Sequence, residues 1–127
     1  MATKSPPKRQ KPVALVVDDE PLVLLDTSAL LTDAGYEVVE AHNAHQALAV
    51  IENDPLFSLL VTDIQMPGSM DGIALACQVG QRWPDIRIAV LSGAVTPLPG
   101  VLPARAQFIT KPIDHRVFAH ILREFET

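Results

Sequence analysis

The sequence predicts an α/β fold, a five-stranded parallel sheet doubly wound by helices on both faces. Short apolar runs alternate with segments of helical length along most of the chain. The runs at 13–17 (VALVV) and 57–62 (FSLLVT) are apolar almost throughout, as in strands buried on both faces, where a half-exposed strand would alternate. With 127 residues, 48% of them hydrophobic and 20% charged, the chain has material for one core and one domain.

Taken in order, the first strand is 13–17. The first helix runs over 21–34, with Val23, Thr27, Leu30, Leu31 and Ala34 near helical period and Gly35 as the stop. That stripe leaves Leu24 and Leu25 partly exposed, either as a dimer or partner-protein contact or as ordinary surface leucines. EVVEA at 37–41 is the second strand. Asn43 caps a helix over 44–53 that turns Ala47, Leu48 and Ile51 inward, and Asp54-Pro55 breaks it. The third strand is 57–62. A helix over 72–82 follows, closed by Trp83-Pro84, with Cys77 expected inside it as a buried, inert thiol. The fourth strand is IRIAVL at 86–91, and a very short fifth is 108–110. Asp114 caps a last helix that ends near Glu124.

One segment breaks the alternation. Where a helix is due between the fourth and fifth strands, Pro97, Pro99, Gly100 and Pro103 stand close together. Each proline in a helix interior removes an amide donor and costs about 3 kcal/mol. The expectation for 94–107 is a turn or two of helix at most and otherwise extended loop. Either this segment is ordered by a ligand or a partner, or it is a static connection.

Composition excludes several classes. No apolar run reaches the roughly 18 residues of a membrane span, and the N-terminus lacks the apolar stretch of a secretory signal. A single cysteine rules out an intramolecular disulfide and suits a cytoplasmic location. The net charge is −5, but Lys4, Lys8, Arg9 and Lys11 lie in the first twelve residues, leaving six basic against fifteen acidic residues, or −9, for 13–127. Such a body repels phosphate backbones, so no nucleic-acid partner is expected. Residues 1–12 read as a basic, flexible tail and 13–127 as the domain.

In a doubly wound parallel sheet, ligands sit beyond the carboxyl ends of the strands. Asp18, Asp19 and Glu20 follow the first strand, Asp63 the third, Ser92 and Gly93 the fourth, and Lys111 and Pro112 the fifth. Crowded carboxylates repel, and a hard divalent cation relieves that, so the oxygen donors of Asp18, Asp19 and Asp63 suit Mg²⁺, with Mn²⁺ as the alternative. With Lys111 as a second positive charge and Ser92 as a hydroxyl donor, Asp63 is placed to attack phosphorus and form an acyl phosphate.

At that point the chain resembles the receiver domain of two-component response regulators, the family of the bacterial chemotaxis regulator. The resemblance covers roughly residues 12–125 and rests on VVDDEP at 16–21, TDIQMPGSMDG at 62–72, VLSG at 90–93 and FITKP at 108–112. It implies a flavodoxin-like fold with strand order 2-1-3-4-5. It implies that Asp63 accepts a phosphoryl group from a phosphohistidine on a sensor histidine kinase or histidine phosphotransfer protein. Asp19 becomes a direct Mg²⁺ ligand, Asp18 a ligand through water, and the backbone carbonyl of Gln65 a further ligand beside Asp63. Ser92 and Lys111 become the groups that hold the phosphoryl oxygens, and Ser92 and Phe108 the switch pair. Output would be protein–protein interaction with a further protein, with a homodimer as one form. Two features depart from the family: an extra residue among Gly68 and Ser69 lengthens the loop after the acceptor, and the proline-rich segment replaces most of a helix.

The chain reads as a complete single-domain regulator, on its basic start and Met1, or as a receiver from a hybrid kinase. A Mg²⁺-dependent phosphohydrolase using Asp63 is the rival enzyme, but Asp63-Ile64-Gln65 lacks the second acid of a D-x-D pair. A receiver that switches without phosphate is weakened because every acceptor-site residue is present. His42, His45, His115 and His120 have no completing ligands at zinc spacing and read as surface or cap residues.

Overall fold

A computed structural model describes residues 11–54, 56–93 and 96–125. Five strands, β1 (Val13–Val17), β2 (Glu37–Ala41), β3 (Leu59–Asp63), β4 (Arg87–Ser92) and β5 (Gln107–Thr110), form one parallel sheet in the order β2-β1-β3-β4-β5. Helices α1 (Pro21–Asp33), α2 (Ala44–Asn53), α3 (Gly72–Arg82) and α4 (His115–Phe125) cover it. The fold class and strand order are those the sequence predicts. β3 and β4 each begin and end one or two residues later than expected, carrying Asp63 and Ser92 onto the strand ends themselves.

Alternate residues of each strand face opposite layers. Leu15, Val17, Leu60, Ile88 and Val90 pack with α2 and α3, whereas Ala14, Val16, Leu59, Val61, Ala89 and Leu91 pack with residues of α1 and α4. β1 and β3, flanked on both sides, are buried along their whole length, which explains why VALVV and the LLV that opens β3 are apolar without alternation.

The caps follow the sequence. Asn43 Oδ1 accepts the Gln46 N–H at 2.8 Å, Asp71 Oδ1 accepts that of Ala74 at 2.9 Å, and Asp114 Oδ1 accepts those of Arg116 and Val117 at 2.8 and 3.2 Å. Gly35 ends α1 with φ +98°, a conformation that favours glycine. Pro12 already belongs to the fold, since its carbonyl accepts the Glu37 N–H at 2.8 Å. The tail expected before it lies outside the described residues as far as position 10.

Two expectations are corrected. On α1 the buried residues are Leu24, Thr27, Ser28 and Leu31: Thr27 and Leu31 face inward as expected, but Leu24 and Ser28 do so in place of Val23, Leu30 and Ala34. Ser28 is buried with its hydroxyl donating to Glu40 Oε2 at 2.8 Å, so one polar residue sits at an inward position that an apolar count passes over. Leu24 is therefore buried, while Leu25 is exposed. On α3 the inward positions are Gly72, Leu75, Ala76 and Val79, which turns Cys77 outward; the thiol is exposed rather than buried.

Among the described residues between β4 and β5 there is no helix. Residues 96–106 form two tight turns, with the Val101 N–H on the Leu98 carbonyl (3.2 Å) and the Ala106 N–H on the Pro103 carbonyl (3.0 Å). Residues 94 and 95 lie outside the described residues.

Candidate phosphoryl and metal site

The parallel register brings four loops to one edge of the sheet. Asp63 ends β3 opposite Leu91 of β4, Ser92 ends β4 opposite Thr110 of β5, and Asp18 follows β1 directly. The Ile64 N–H donates to the Leu91 carbonyl and the Lys111 N–H to the Ser92 carbonyl, both at 3.0 Å, so pairing persists one residue past the strands. The peptide between Lys111 and Pro112 is cis.

Lys111 Nζ lies 2.9 Å from Asp63 Oδ1 and 3.3 Å from Asp18 Oδ2. Asp18 is fixed from its other oxygen, which accepts the Glu20 N–H at 2.9 Å. Carboxylate oxygens of Asp18, Asp19 and Asp63 lie within 4.8 Å of one another, with Asp18 and Asp63 buried and Asp19 exposed. Burial pushes the Asp63 carboxyl above its usual value; the Lys111 hydrogen bond and charge oppose this, and the charges of Asp18 and Asp19 reinforce it. Burial alone would lower the Lys111 ammonium, but its hydrogen bond to Asp63 and the charges of Asp18 and Asp63 outweigh that and hold it above its usual value.

Three carboxylates against one ammonium leave the pocket in excess negative charge. Hard oxygen donors within one ion's reach of each other, one of them open to solvent, suit a small divalent cation that keeps part of its water shell. The residues present thus fit Mg²⁺.

Of the residues singled out from sequence, Asp18, Asp19, Asp63 and Lys111 come together directly. Ser92 is buried at the adjacent strand end. Gln65 follows Asp63 in the loop with its side chain exposed. Phe108 lies opposite Val90 on β5, half-buried against the α2–α3 layer. His45 does meet a partner: its Nε2 is 2.9 Å from the hydroxyl of Ser69, in the lengthened loop. His120 pairs with Glu124 at 3.2 Å along the surface of α4.

Sequence reasoning missed Gly72. Its N–H donates to the Ile64 carbonyl at 2.8 Å, and a Cβ there would lie 1.8 Å from the Asp63 carbonyl oxygen. Only glycine lets α3 begin directly against the backbone of Asp63, a requirement set by a carbonyl on a different element. The hydroxyl of Thr62, donating to the same carbonyl at 3.0 Å, is a second support that was missed.

Comparison with known proteins agrees with this geometry. The profile of the response regulator receiver domain matches residues 14–123. The sensor histidine kinase GacS of Pseudomonas protegens is 35% identical over 126 residues, covering 87% of this chain, although the chain spans only 13% of that protein's length. Among solved structures, the receiver domain of the hybrid histidine kinase CckA superposes with a TM-score of 0.76 at 29% identity, covering 91% of this chain and 99% of that one. A CheY-like receiver domain protein from Methanospirillum hungatei gives 0.79 at 28% identity, covering 92% and 95%.

Proposed function

Because the chain belongs to the response regulator receiver domain family of two-component signalling, we propose that it is a phosphorylation-operated switch whose acceptor is Asp63. The observation that carries this is the 2.9 Å contact between Lys111 Nζ and Asp63 Oδ1, inside a pocket that also holds Asp18 and Asp19. A histidine kinase or histidine phosphotransfer protein is the donor. A carboxylate oxygen of Asp63 bonds to phosphorus as the P–N bond to the donor imidazole breaks, and the freed ring nitrogen keeps the electron pair. Lys111 holds the carboxylate in place and faces the negative charge that arrives with the phosphoryl group. The buried Ser92 hydroxyl is the donor positioned to follow a phosphoryl oxygen inward. When bound, Mg²⁺ would offset charge on the phosphoryl oxygens, held by Asp19, Asp63 and the Gln65 carbonyl, with Asp18 through water.

On this reading the protein catalyses only its own phosphorylation and dephosphorylation and acts in the cytoplasm as a single-domain regulator, through contact with an output protein. The similarity to GacS and to the CckA receiver supports a second version, in which the same switch is part of a hybrid kinase. Incubation with acetyl phosphate and Mg²⁺ should add one phosphate, and Asp63→Asn should abolish it. Undiminished labelling of that variant would refute the assignment, and steady turnover of a small phosphomonoester would favour a phosphohydrolase.

A further inference from the structure

We propose that Gly80 is a seat on α3 that positions the proline-rich connection between β4 and β5, and with it the ring of Phe108. The seat is a matter of packing alone; only its consequence for signalling rests on the switch role given to Phe108 above.

A glycine in the interior of an 11-residue helix is a poor helix former, so its presence calls for a packing reason. Pro103 supplies one. A Cβ at position 80 would lie 3.0 Å from Pro103 Cγ and 3.1 Å from Pro103 Cβ, tighter than ordinary contact. Three residues earlier on the same helix face, Cys77 Sγ donates to the Val101 carbonyl at 3.2 Å. The connection therefore meets α3 at two successive turns. Between and beyond those contacts, Leu102 and Ala106 pack into the core layer that α2 and α3 share with the sheet. The segment thus covers, without helix, the face that a helix would otherwise occupy.

Phe108 packs on that same layer. It and Pro103 line one open pocket of about 300 Å³, with Thr96, Leu98 and Leu102 among its other walls. Moving Pro103 off its seat changes the wall of the space into which Phe108 can turn. At its other end α3 is bonded to the acceptor loop through Gly72 and Ile64. One helix thus touches the backbone beside Asp63 and, two turns on, the segment beside Phe108.

The test uses the unphosphorylated 127-residue chain, so its outcome does not depend on whether Asp63 accepts phosphate. In Gly80→Leu, amide exchange at 101–106 should quicken at least about tenfold while the α3 amides keep their protection. In fluorophenylalanine-labelled protein, the ¹⁹F resonance of Phe108, assigned with Phe108→Leu, should shift. Gly80→Ala guards against a variant that simply unfolds. Alanine is the better helix former, so at an open position it would raise the melting temperature; here the gain should be absent and should return when Pro103→Gly removes the ring. Unchanged exchange at 101–106 together with an equal gain in both backgrounds would overturn the seat. A loosened segment with an unmoved Phe108 resonance would overturn its role in positioning that ring.

Discussion

Asp63 combines burial, which favours its neutral form, with a proposed acceptor role that requires the charged one. Its raised pKa means that the folded state holds the proton more tightly than the unfolded chain does. As pH rises above the ordinary value of 3.8, the unfolded chain ionises first, so this group's contribution to stability falls until pH passes the folded pKa. Lys111, also raised, has the same sense in a different window: its contribution is present below its ordinary value of 10.5 and is lost only above it, outside the neutral range. Without metal, Asp63→Asn should therefore gain stability over the native chain as pH rises from about 4, levelling off once Asp63 is ionised. Urea denaturation across that range measures it, and a constant offset would mean that burial does not perturb Asp63. Asp19→Ala removes an exposed carboxylate from the cluster and should weaken Mg²⁺ affinity by roughly tenfold or more, read by metal titration. The acidic residues and the lysine were legible in sequence because each stands at or just past the end of a strand, and topology alone brings strand ends together. Cys77 was misread because small neighbours at 74 and 76 suggested a buried face, whereas only position 76 of those two faces inward.

Helix α3 shows what an element adds to its residues. Its inward stripe, Leu75, Ala76 and Val79, follows ordinary helical spacing and could be read from the sequence. Its first residue could not, because the need for glycine at 72 comes from the Asp63 carbonyl on a different element. Gly72→Ala forces a methyl group against backbone that cannot rotate away, and should cost about 3 kcal/mol or more, at the upper end of overpacking effects. Chemical denaturation or the soluble yield reports this, and a near-native melt would show that α3 can start elsewhere. By contrast Asn43→Ala, which removes one cap hydrogen bond from α2, should cost only about 1 kcal/mol and leave the site intact. α1 was misread at the same level. The pattern of Leu24, Thr27, Ser28 and Leu31 has perfect helical spacing, but a buried serine is recognisable only once its partner Glu40 is known to stand on the neighbouring strand.

At the scale of the molecule, the sheet gathers acidic groups at one edge of a chain that already carries a net charge of −5. Folding brings Asp18, Asp19 and Asp63 within one ion's reach, so part of the stabilisation from packing is offset by their repulsion. Anything that binds this cluster only in the folded state must then raise stability, by about 2.7 kcal/mol when the free ligand stands at a hundred times its dissociation constant. Mg²⁺ should accordingly raise the melting temperature in a saturable way. General screening of the surface charge would also stabilise, but it depends on ionic strength rather than on the identity of the cation. Melts with MgCl₂ or NaCl at matched ionic strength separate the two, and Asp19→Ala provides the internal control. Its surface charge is one unit less negative than that of the native chain, so screening should act on it almost as before, while a gain that comes from the site should largely vanish. Equal shifts from both salts, or an undiminished Mg²⁺ shift in Asp19→Ala, would show that the acidic edge does not bind the metal as a site, and would remove the metal from the proposed phosphorylation.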